Sequence, residues 1–148
     1  MNAGTEDYIR AEGAELFVRA HLMLHLGIPV SVASRNTPGY DLIAHSLENE
    51  RNCFIQVKYR MAVDADGAKV TNLNFDFMVY VAGNLGKVGV QGRSKTMGNR
   101  PTEFYILPKD IVGKNILGNH NLFRSPTRGK YEEYRDAWNL IQRFLISV

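Results

Sequence analysis

The sequence lacks several features that would place a protein outside the reducing cytoplasm. It contains one cysteine, Cys53, so no disulfide can form within the chain. The longest apolar stretch is interrupted by His21, His25 and Gly27, and it is shorter than the ~20 apolar residues of a membrane-spanning helix. The N-terminus, MNAGTEDYIR, has neither the basic nor the apolar region of a secretory signal. We therefore expect a cytoplasmic protein that does not enter a membrane.

Several familiar catalytic and nucleotide-binding motifs are also missing. His21 and His25 have the spacing of the zinc motif H-E-x-x-H, but Leu22 replaces its glutamate. Four glycines are spaced by three residues: Gly83, Gly86, Gly89 and Gly92. This spacing fits neither the dinucleotide motif G-x-G-x-x-G nor a P-loop, so it predicts a flexible loop.

The length and the charge distribution set the next limits. With 148 residues, of which 45% are hydrophobic, the chain is expected to form a single domain over residues 1–148. The net charge is +3, but residues 83–130 hold nine Lys/Arg against two acidic residues, a local balance of +7. Such a basic segment is typical of proteins that bind a polyanion. A solvated basic loop is an equally good interpretation of the charge alone.

A long helix is predicted over residues 5–26. Thr5 is a suitable N-cap, and Gly27 followed by Pro29 ends the helix. Apolar residues cover most of its surface and include Ile9, Leu16, Ala20, Met23 and Leu24. We therefore expect this helix to be buried on more than one side.

Strands and a second helix are predicted for the rest of the chain. The β-rich segments are residues 28–34, 42–47, 53–59, 75–82 and 103–107. A short helical turn is expected at 108–112, irregular structure at 61–74 and 115–130, and an amphipathic helix at 131–146. That helix carries Tyr134, Trp138, Ile141 and Leu145 on one side. The order predicts an α/β fold with a mixed central sheet flanked by helices.

Polar residues occupy unusual places in the segment GYDLIAHSLENERNCFIQVKYR, residues 39–60. Side chains alternate across a strand, so Gln56 and Lys58 share one face while the apolar residues around them share the other. Asp41 begins the preceding strand of the hairpin, within reach of the same space. Carboxylate, amide and carbonyl oxygens are ligands for Mg²⁺, which polarises a phosphate and lowers the pKa of a water molecule. A nearby lysine can orient that water or stabilise developing charge.

These residues carry a resemblance to a known family. Pro38 and Asp41, followed after a hairpin by Gln56-Val57-Lys58, resemble the motif of the PD-(D/E)xK nuclease superfamily. The resemblance implies a restriction-endonuclease-like fold with an α-β-β-β-α-β core. The family often carries a glutamate on its first helix. Glu15 matches that position best, with Glu12 as the alternative.

The resemblance implies a metal-dependent endonuclease that hydrolyses DNA phosphodiester bonds, using Mg²⁺ or, in its place, Mn²⁺. Asp41 and the Val57 carbonyl would hold the metal, with Gln56 and Glu15 completing the ligand set, and Lys58 would position the attacking water. Gln56 stands where the motif has an acidic residue, which is expected to weaken metal binding. Two alternatives therefore stay open: a non-catalytic nucleic-acid-binding protein that retains the nuclease fold, and an assembly subunit.

Basic residues along the chain are the predicted contacts to DNA phosphates. They are Arg35, Arg60, Arg93, Lys95, Arg100, Arg124, Arg128 and Lys130. Cutting both strands of a duplex requires two sites, so a symmetric homodimer or a higher homo-oligomer is expected.

Overall fold

A computed structural model describes residues 3–34, 36–86 and 100–147. Its α-helices are α1 (Ala3–Leu26), α2 (Lys109–Lys114) and α3 (Asn139–Ile146). Its strands are β1 (Val30–Val32), β2 (Leu42–His45), β3 (Asn52–Arg60), β4 (Gly67–Lys69), β5 (Phe77–Ala82), β6 (Glu103–Pro108), β7 (Ile116–Leu117) and β8 (Leu122–Arg124). Three short 3₁₀ helices are Gly118–His120, Pro126–Arg128 and Glu132–Tyr134.

The main sheet has five strands in the order β1-β2-β3-β5-β6. The β3–β5 pair is parallel, and its other pairs are antiparallel. A second, three-stranded sheet has the order β4-β8-β7. This arrangement confirms the predicted α/β class with a mixed central sheet and flanking helices. Residues 61–76, which connect the two parallel strands, contain β4, whereas the α-β-β-β-α-β order expected from the sequence resemblance has a helix there.

Two apolar cores lie on opposite faces of the main sheet. On one face, α1 and α3 cover side chains of β3 and β5, with Val18, Leu22 and Ile141 packed against Ile55 and Val79. The other face is covered by α2 and the small sheet. Because both faces are covered, every residue of the central strand β5 is buried.

The other core contains the second set of β5 side chains. Met78 and Tyr80 pack there with Val112 from α2 and with Phe123 from β8. The small sheet therefore covers the face of the main sheet that α1 and α3 leave open. In a conventional α/β unit a crossover helix covers that face.

The predicted helix over residues 131–146 is correct only in its second half. Asp136 has a left-handed backbone with φ of 51°, and its N–H donates to the Phe104 carbonyl at 2.8 Å. Arg135 forms a bridge with Tyr105 of β6. Arg135 pairs like a strand residue and Asp136 has a positive φ, and neither conformation is compatible with an α-helix. The helix α3 therefore begins only at Asn139.

The segment 115–130, predicted to be irregular, contains β7, β8 and two of the 3₁₀ helices. These strands have two and three residues, too few to show an alternating pattern. They form because β8 pairs with β4, whose residues lie far away in the sequence.

The prediction that α1 is buried on more than one side is wrong within the described chain. Its buried side chains are Ala14, Val18 and Leu22, which face the main sheet. On the opposite side Leu16 is 58% exposed and Leu24 is 79% exposed. The helix lies on the outside of the sheet, and nothing in the described ranges covers its outer side. None of the described helices combines the length and apolar character needed to span a membrane.

Candidate active site

Asp41 lies where the β2–β3 ladder ends. Its backbone N–H donates to the Ile55 carbonyl at 2.8 Å, and Leu42, the next residue, forms the last register pair with Ile55. Beyond this pair the Asp41 side chain replaces a backbone carbonyl as the hydrogen-bond acceptor for β3, since its Oδ2 accepts a hydrogen bond from the Val57 N–H at 2.8 Å. One oxygen is thereby fixed against β3, and the carboxylate has a defined orientation.

The turn before Asp41 explains how the carboxylate reaches this position. Gly39 has a φ of 99°, and a Cβ at this residue would lie 2.5 Å from both Asn72 Oδ1 and Asn74 Cβ. Both the backbone angle and the close approach require glycine. Tyr40 then packs its ring against Phe54 on β3, with centroids 4.7 Å apart. The chain is therefore held on both sides of the turn immediately before Asp41.

Asp41 and Glu15 line the same cleft, which has a volume of about 270 Å³. The helix α1 contributes Glu15 and Glu12, so both glutamates considered from the sequence reach the cleft. Glu15 is half-buried, whereas Glu12 is exposed. The remaining lining residues are Tyr8, Ala11, Val32, Ala33, Ser34, Thr37 and Tyr40.

The titratable groups of this region influence one another. Burial raises the pKa of Glu15 to about 7, and the negative charges of Asp41 and then Glu12 contribute to the rise. Burial also raises the pKa of Asp41, against the opposing effects of the Val57 N–H and the Lys58 charge. Burial lowers the pKa of Lys58, and the Asp41 charge opposes that fall. Two carboxylates thus repel each other beside one ammonium group, an arrangement that a bound cation would stabilise.

Gln56 and Lys58 lie on the face of β3 opposite to Ile55 and Val57, as the alternation predicts. Neither Gln56 nor Lys58 belongs to the residues that line the Asp41 cleft. The structure therefore brings Glu15 and Asp41 into one cleft, and it relates Lys58 to Asp41 through the interaction of their charges.

The Oε1 atom of Gln56 is buried and accepts no hydrogen bond from the described residues. An unsatisfied buried acceptor destabilises a fold by about 1–3 kcal/mol, so such an atom in a native protein is usually matched by an ordered water or an ion, or marks strain or a catalytic role. The Val57 carbonyl points toward the same edge of β3 as the Val57 N–H, which donates to Asp41, because the N–H and C=O of one strand residue point the same way. Both oxygens are uncharged donors to which a hard cation could bind.

The side-chain and backbone atoms available as metal ligands indicate which kind of metal the site fits. Within the described ranges, no group of three or more His, Cys, Asp or Glu side chains is placed to hold a metal ion. The available donors are the carboxylates of Asp41 and Glu15, the Gln56 amide oxygen and the Val57 carbonyl. Oxygen donors of this kind fit Mg²⁺ or Mn²⁺ and do not fit a structural zinc site, which uses sulfur and imidazole nitrogen.

The structure places several of the basic residues predicted to contact phosphates at the surface. Arg60, Arg100, Arg124 and Lys130 are exposed. Arg60 ends β3 on the same face as Gln56 and Lys58, since all three have even positions on one strand. Arg35, Arg93, Lys95 and the side chain of Arg128 lie outside the described residues.

Sequence reasoning missed much of the cleft wall. Ser34 and Thr37 form a hydroxyl pair at 2.6 Å, and both line the cleft with Tyr8 and Tyr40. Tyr40 is adjacent to Asp41 in the sequence, which is a usable signal. The hydroxyl residues and Tyr8 have no motif that distinguishes them from ordinary loop and helix residues.

The architecture is shared with a nuclease of known structure. It is the bacterial homing endonuclease I-Ssp6803I, which superimposes with a TM-score of 0.54 and 18% sequence identity over 96% of this chain and 95% of that one. At this identity the similarity establishes the fold. No protein-family model matches the chain, and no curated protein matches it either.

Proposed function

We propose that this chain is a metal-dependent endonuclease that hydrolyses DNA phosphodiester bonds. The observation that carries the proposal is the position of Asp41, whose carboxylate is held against β3, shares a cleft with Glu15 and interacts with the charge of Lys58. The fold shared with a homing endonuclease supports the same class of reaction. The PD-(D/E)xK resemblance, in its Gln-x-Lys form, assigns roles to the same residues.

The proposed metal ligands are Asp41, Glu15, Gln56 and the carbonyl of Val57. Because Asp41 Oδ2 accepts the Val57 N–H, the other carboxylate oxygen is the one available to a cation. Glu15 is preferred to Glu12, since the charge of Asp41 acts on Glu15 and Glu12 is exposed. When bound, Mg²⁺ or Mn²⁺ supplies Lewis-acid polarisation of the phosphate and offsets the repulsion between the carboxylates.

Lys58 is the proposed residue for positioning the attacking water. Lys58 is half-buried on the β3 face, and its charge interacts with that of Asp41. This supports a role for its ammonium group in stabilising the charge that develops on the phosphate. The water oxygen bonds to phosphorus while the bond from phosphorus to the 3′-oxygen breaks. The products are a 5′-phosphate and a 3′-hydroxyl.

DNA is the proposed partner, held by phosphate contacts from the exposed basic residues. Arg60 and Arg124 are the strongest candidates in the described chain, because neither has an ion pair there within 4.0 Å. Arg100 lies 3.5 Å from Glu103, so part of its charge is already compensated. Cleavage of both strands requires two copies of the site and hence a symmetric homo-oligomer.

A second candidate function is DNA binding without cleavage. Gln56 favours it, because a neutral amide replaces the carboxylate of the family motif, and the described residues contain no three-member acidic, histidine or cysteine cluster. In this alternative the fold and the basic surface are retained while metal binding is too weak for catalysis.

The two functions are separated by cleavage of supercoiled plasmid with Mg²⁺, Mn²⁺ or EDTA. We expect nicked and linear products with either metal and none with EDTA. The variant Lys58→Met should cut at least ~100-fold more slowly, since a group that stabilises the transition state is removed. Lys109→Met removes an exposed lysine from α2 and serves as the matched control. DNA binding without cleavage by the wild type would support the second function, and equal rates for both lysine variants would refute the role of Lys58.

A further inference from the structure

The outer side of α1 is an apolar stripe that the described chain does not cover. Its residues are Ile9, Gly13, Leu16, Ala20 and Met23, and all five are exposed. Their spacing alternates between four and three residues, which is the 3.5-residue repeat of a helix that packs along a second helix. Leu24, which is 79% exposed, extends the stripe along one margin, whereas Phe17 on the same flank packs its ring on Phe104 of β6 with centroids 4.7 Å apart. We call Ile9, Gly13, Leu16, Ala20, Met23 and Leu24 the α1 stripe.

Gly13 is a second sign that another element packs here. A Cβ at this position would meet no atom within 4 Å, so nothing in the described chain requires glycine. Glycine in a helix interior is less favourable than alanine by roughly 0.5–1 kcal/mol, so its use here is not explained by helix stability. Close approach of a second helix does explain it, because a glycine lets two backbones come together.

The sizes along the stripe fit a second copy of the same chain. Along the repeat they run large, small, large, small, large, an order that reads the same in both directions about Leu16. A two-fold interface requires a self-complementary patch of this kind, in which each residue meets its counterpart from the opposite end. The large side chains Ile9, Leu16, Met23 and Leu24 are 46% to 79% exposed. Together they leave on the order of 500 Å² of apolar surface per chain, so a pair would bury about 1,000 Å², the lower bound for a specific interface.

We propose that two copies of this chain associate through the α1 stripe, with the helices antiparallel and the two-fold axis at Leu16. Ile9 of each copy then faces Met23 of the other, and Gly13 faces Ala20. Large side chains thereby meet large ones at both ends of the stripe, and the small pairs on either side of Leu16 let the two helix backbones approach each other.

The orientation has a consequence for the cleft, and this step rests on the proposed function. On the helix wheel Glu12 and Glu15 lie about 60° and 120° to one side of the stripe. The two-fold axis of an antiparallel pair is perpendicular to the plane of the two helices, so the same flank of each helix faces the same side. Both clefts therefore open on one side of the dimer, where a single duplex can reach them. A parallel pair would direct them to opposite sides.

Sedimentation equilibrium at micromolar concentration tests the interface. We expect a dimer for the wild type and, for Leu16→Glu, association weakened about tenfold or more. Leu47→Glu is the matched control, because Leu47 is 79% exposed in the β2–β3 turn, away from α1. Circular dichroism confirms that each variant folds. A monomeric wild type, or equal association of Leu16→Glu and the wild type, would overturn the proposal.

Disulfide trapping tests the orientation, since the native Cys53 is buried. Leu16→Cys should form a covalent dimer, and a mixture of Ile9→Cys with Met23→Cys should do the same. Ile9→Cys alone should stay monomeric under denaturing conditions, because antiparallel packing puts the two thiols about 20 Å apart along the helices. Trapping of Ile9→Cys with itself would establish the parallel arrangement and overturn this one.

The interface and the proposed function fail in different ways. A trapped dimer that does not cleave DNA leaves the interface intact and refutes the nuclease. A monomer that nicks DNA refutes the interface and leaves the nuclease intact.

Discussion

Asp41 has a structural role that must be separated from any catalytic one. Its Oδ2 accepts the Val57 N–H at 2.8 Å, and Val57 is buried. The substitution Asp41→Ala removes the acceptor and leaves this N–H without a partner, which costs about 1–3 kcal/mol. In a chain of this length each kcal/mol corresponds to roughly 2–4 °C, so a loss of about 2 kcal/mol lowers Tm by roughly 4–8 °C.

The substitution Asp41→Asn should have a much smaller effect on Tm. Its amide oxygen can accept the same hydrogen bond. The amide is also uncharged, so it avoids the cost of burying a carboxylate, the cause that raises the pKa of Asp41. Thermal denaturation of the metal-free protein, followed by circular dichroism in EDTA, measures both variants. Asp76 provides the control, since its Oδ2 accepts the Phe54 N–H at 2.9 Å on the same strand. Asp76→Ala should lose a similar amount of stability.

Equal losses for Asp41→Ala and Asp41→Asn would refute this reasoning, because they would show that the carboxylate charge, and not its acceptor oxygen, stabilises the fold. An unchanged Tm for Asp41→Ala would refute it as well.

Three further predictions concern the cleft and the basic surface. The pKa of Glu15 is raised from 4.5 to about 7 in the folded protein, so between these pH values the unfolded chain releases a proton that the folded chain keeps. The free energy of unfolding therefore falls as the pH rises from about 4.5 to 7. Glu15→Gln should therefore raise Tm at pH 8 in EDTA and leave it unchanged at pH 4; a gain at pH 4 would contradict this. Gln56→Glu adds a charged oxygen and should tighten Mg²⁺ binding about tenfold in calorimetric titration; unchanged affinity would remove Gln56 from the ligand set. Arg60→Ala should weaken DNA binding in fluorescence anisotropy and reduce the salt slope by about 0.9, whereas Arg143→Ala, on α3, should leave the slope unchanged.

The hairpin β2–β3 was predictable because its signal is local. Alternation along residues 53–59 fixed which side chains of β3 face each core, and the polar turn between the strands marked the hairpin. The start of α3 was not predictable in the same way. It depends on Asp136 adopting a positive φ and bonding to Phe104, which is a tertiary contact that a helical pattern does not show.

The residues of the candidate site also differ in whether a local sequence signal predicts them. The spacing of Asp41, Gln56 and Lys58 on two adjacent strands predicts their proximity, and the resemblance added Glu15 from the helix. Glu15 and Asp41 line one cleft, and their roles there stay a prediction. The other walls come from loops whose positions depend on long-range packing, so Ser34 and Thr37 carried no usable signal.

The apolar pattern of α1 predicted burial that the described chain provides on one side only. Hydrophobic periodicity reports that a surface is suited to packing, and it does not report whether the partner is the same chain or another molecule.

Plasmid cleavage by Asp41→Asn, compared with Asp76→Asn, tests the central claim most directly. Both substitutions keep an acceptor for a β3 N–H, and only Asp41 lines the cleft with Glu15. We predict Mg²⁺-dependent cleavage by the wild type and by Asp76→Asn, and no cleavage by Asp41→Asn at matched DNA binding. Cleavage by Asp41→Asn at the rate of Asp76→Asn would contradict the assignment of this cleft as the active site.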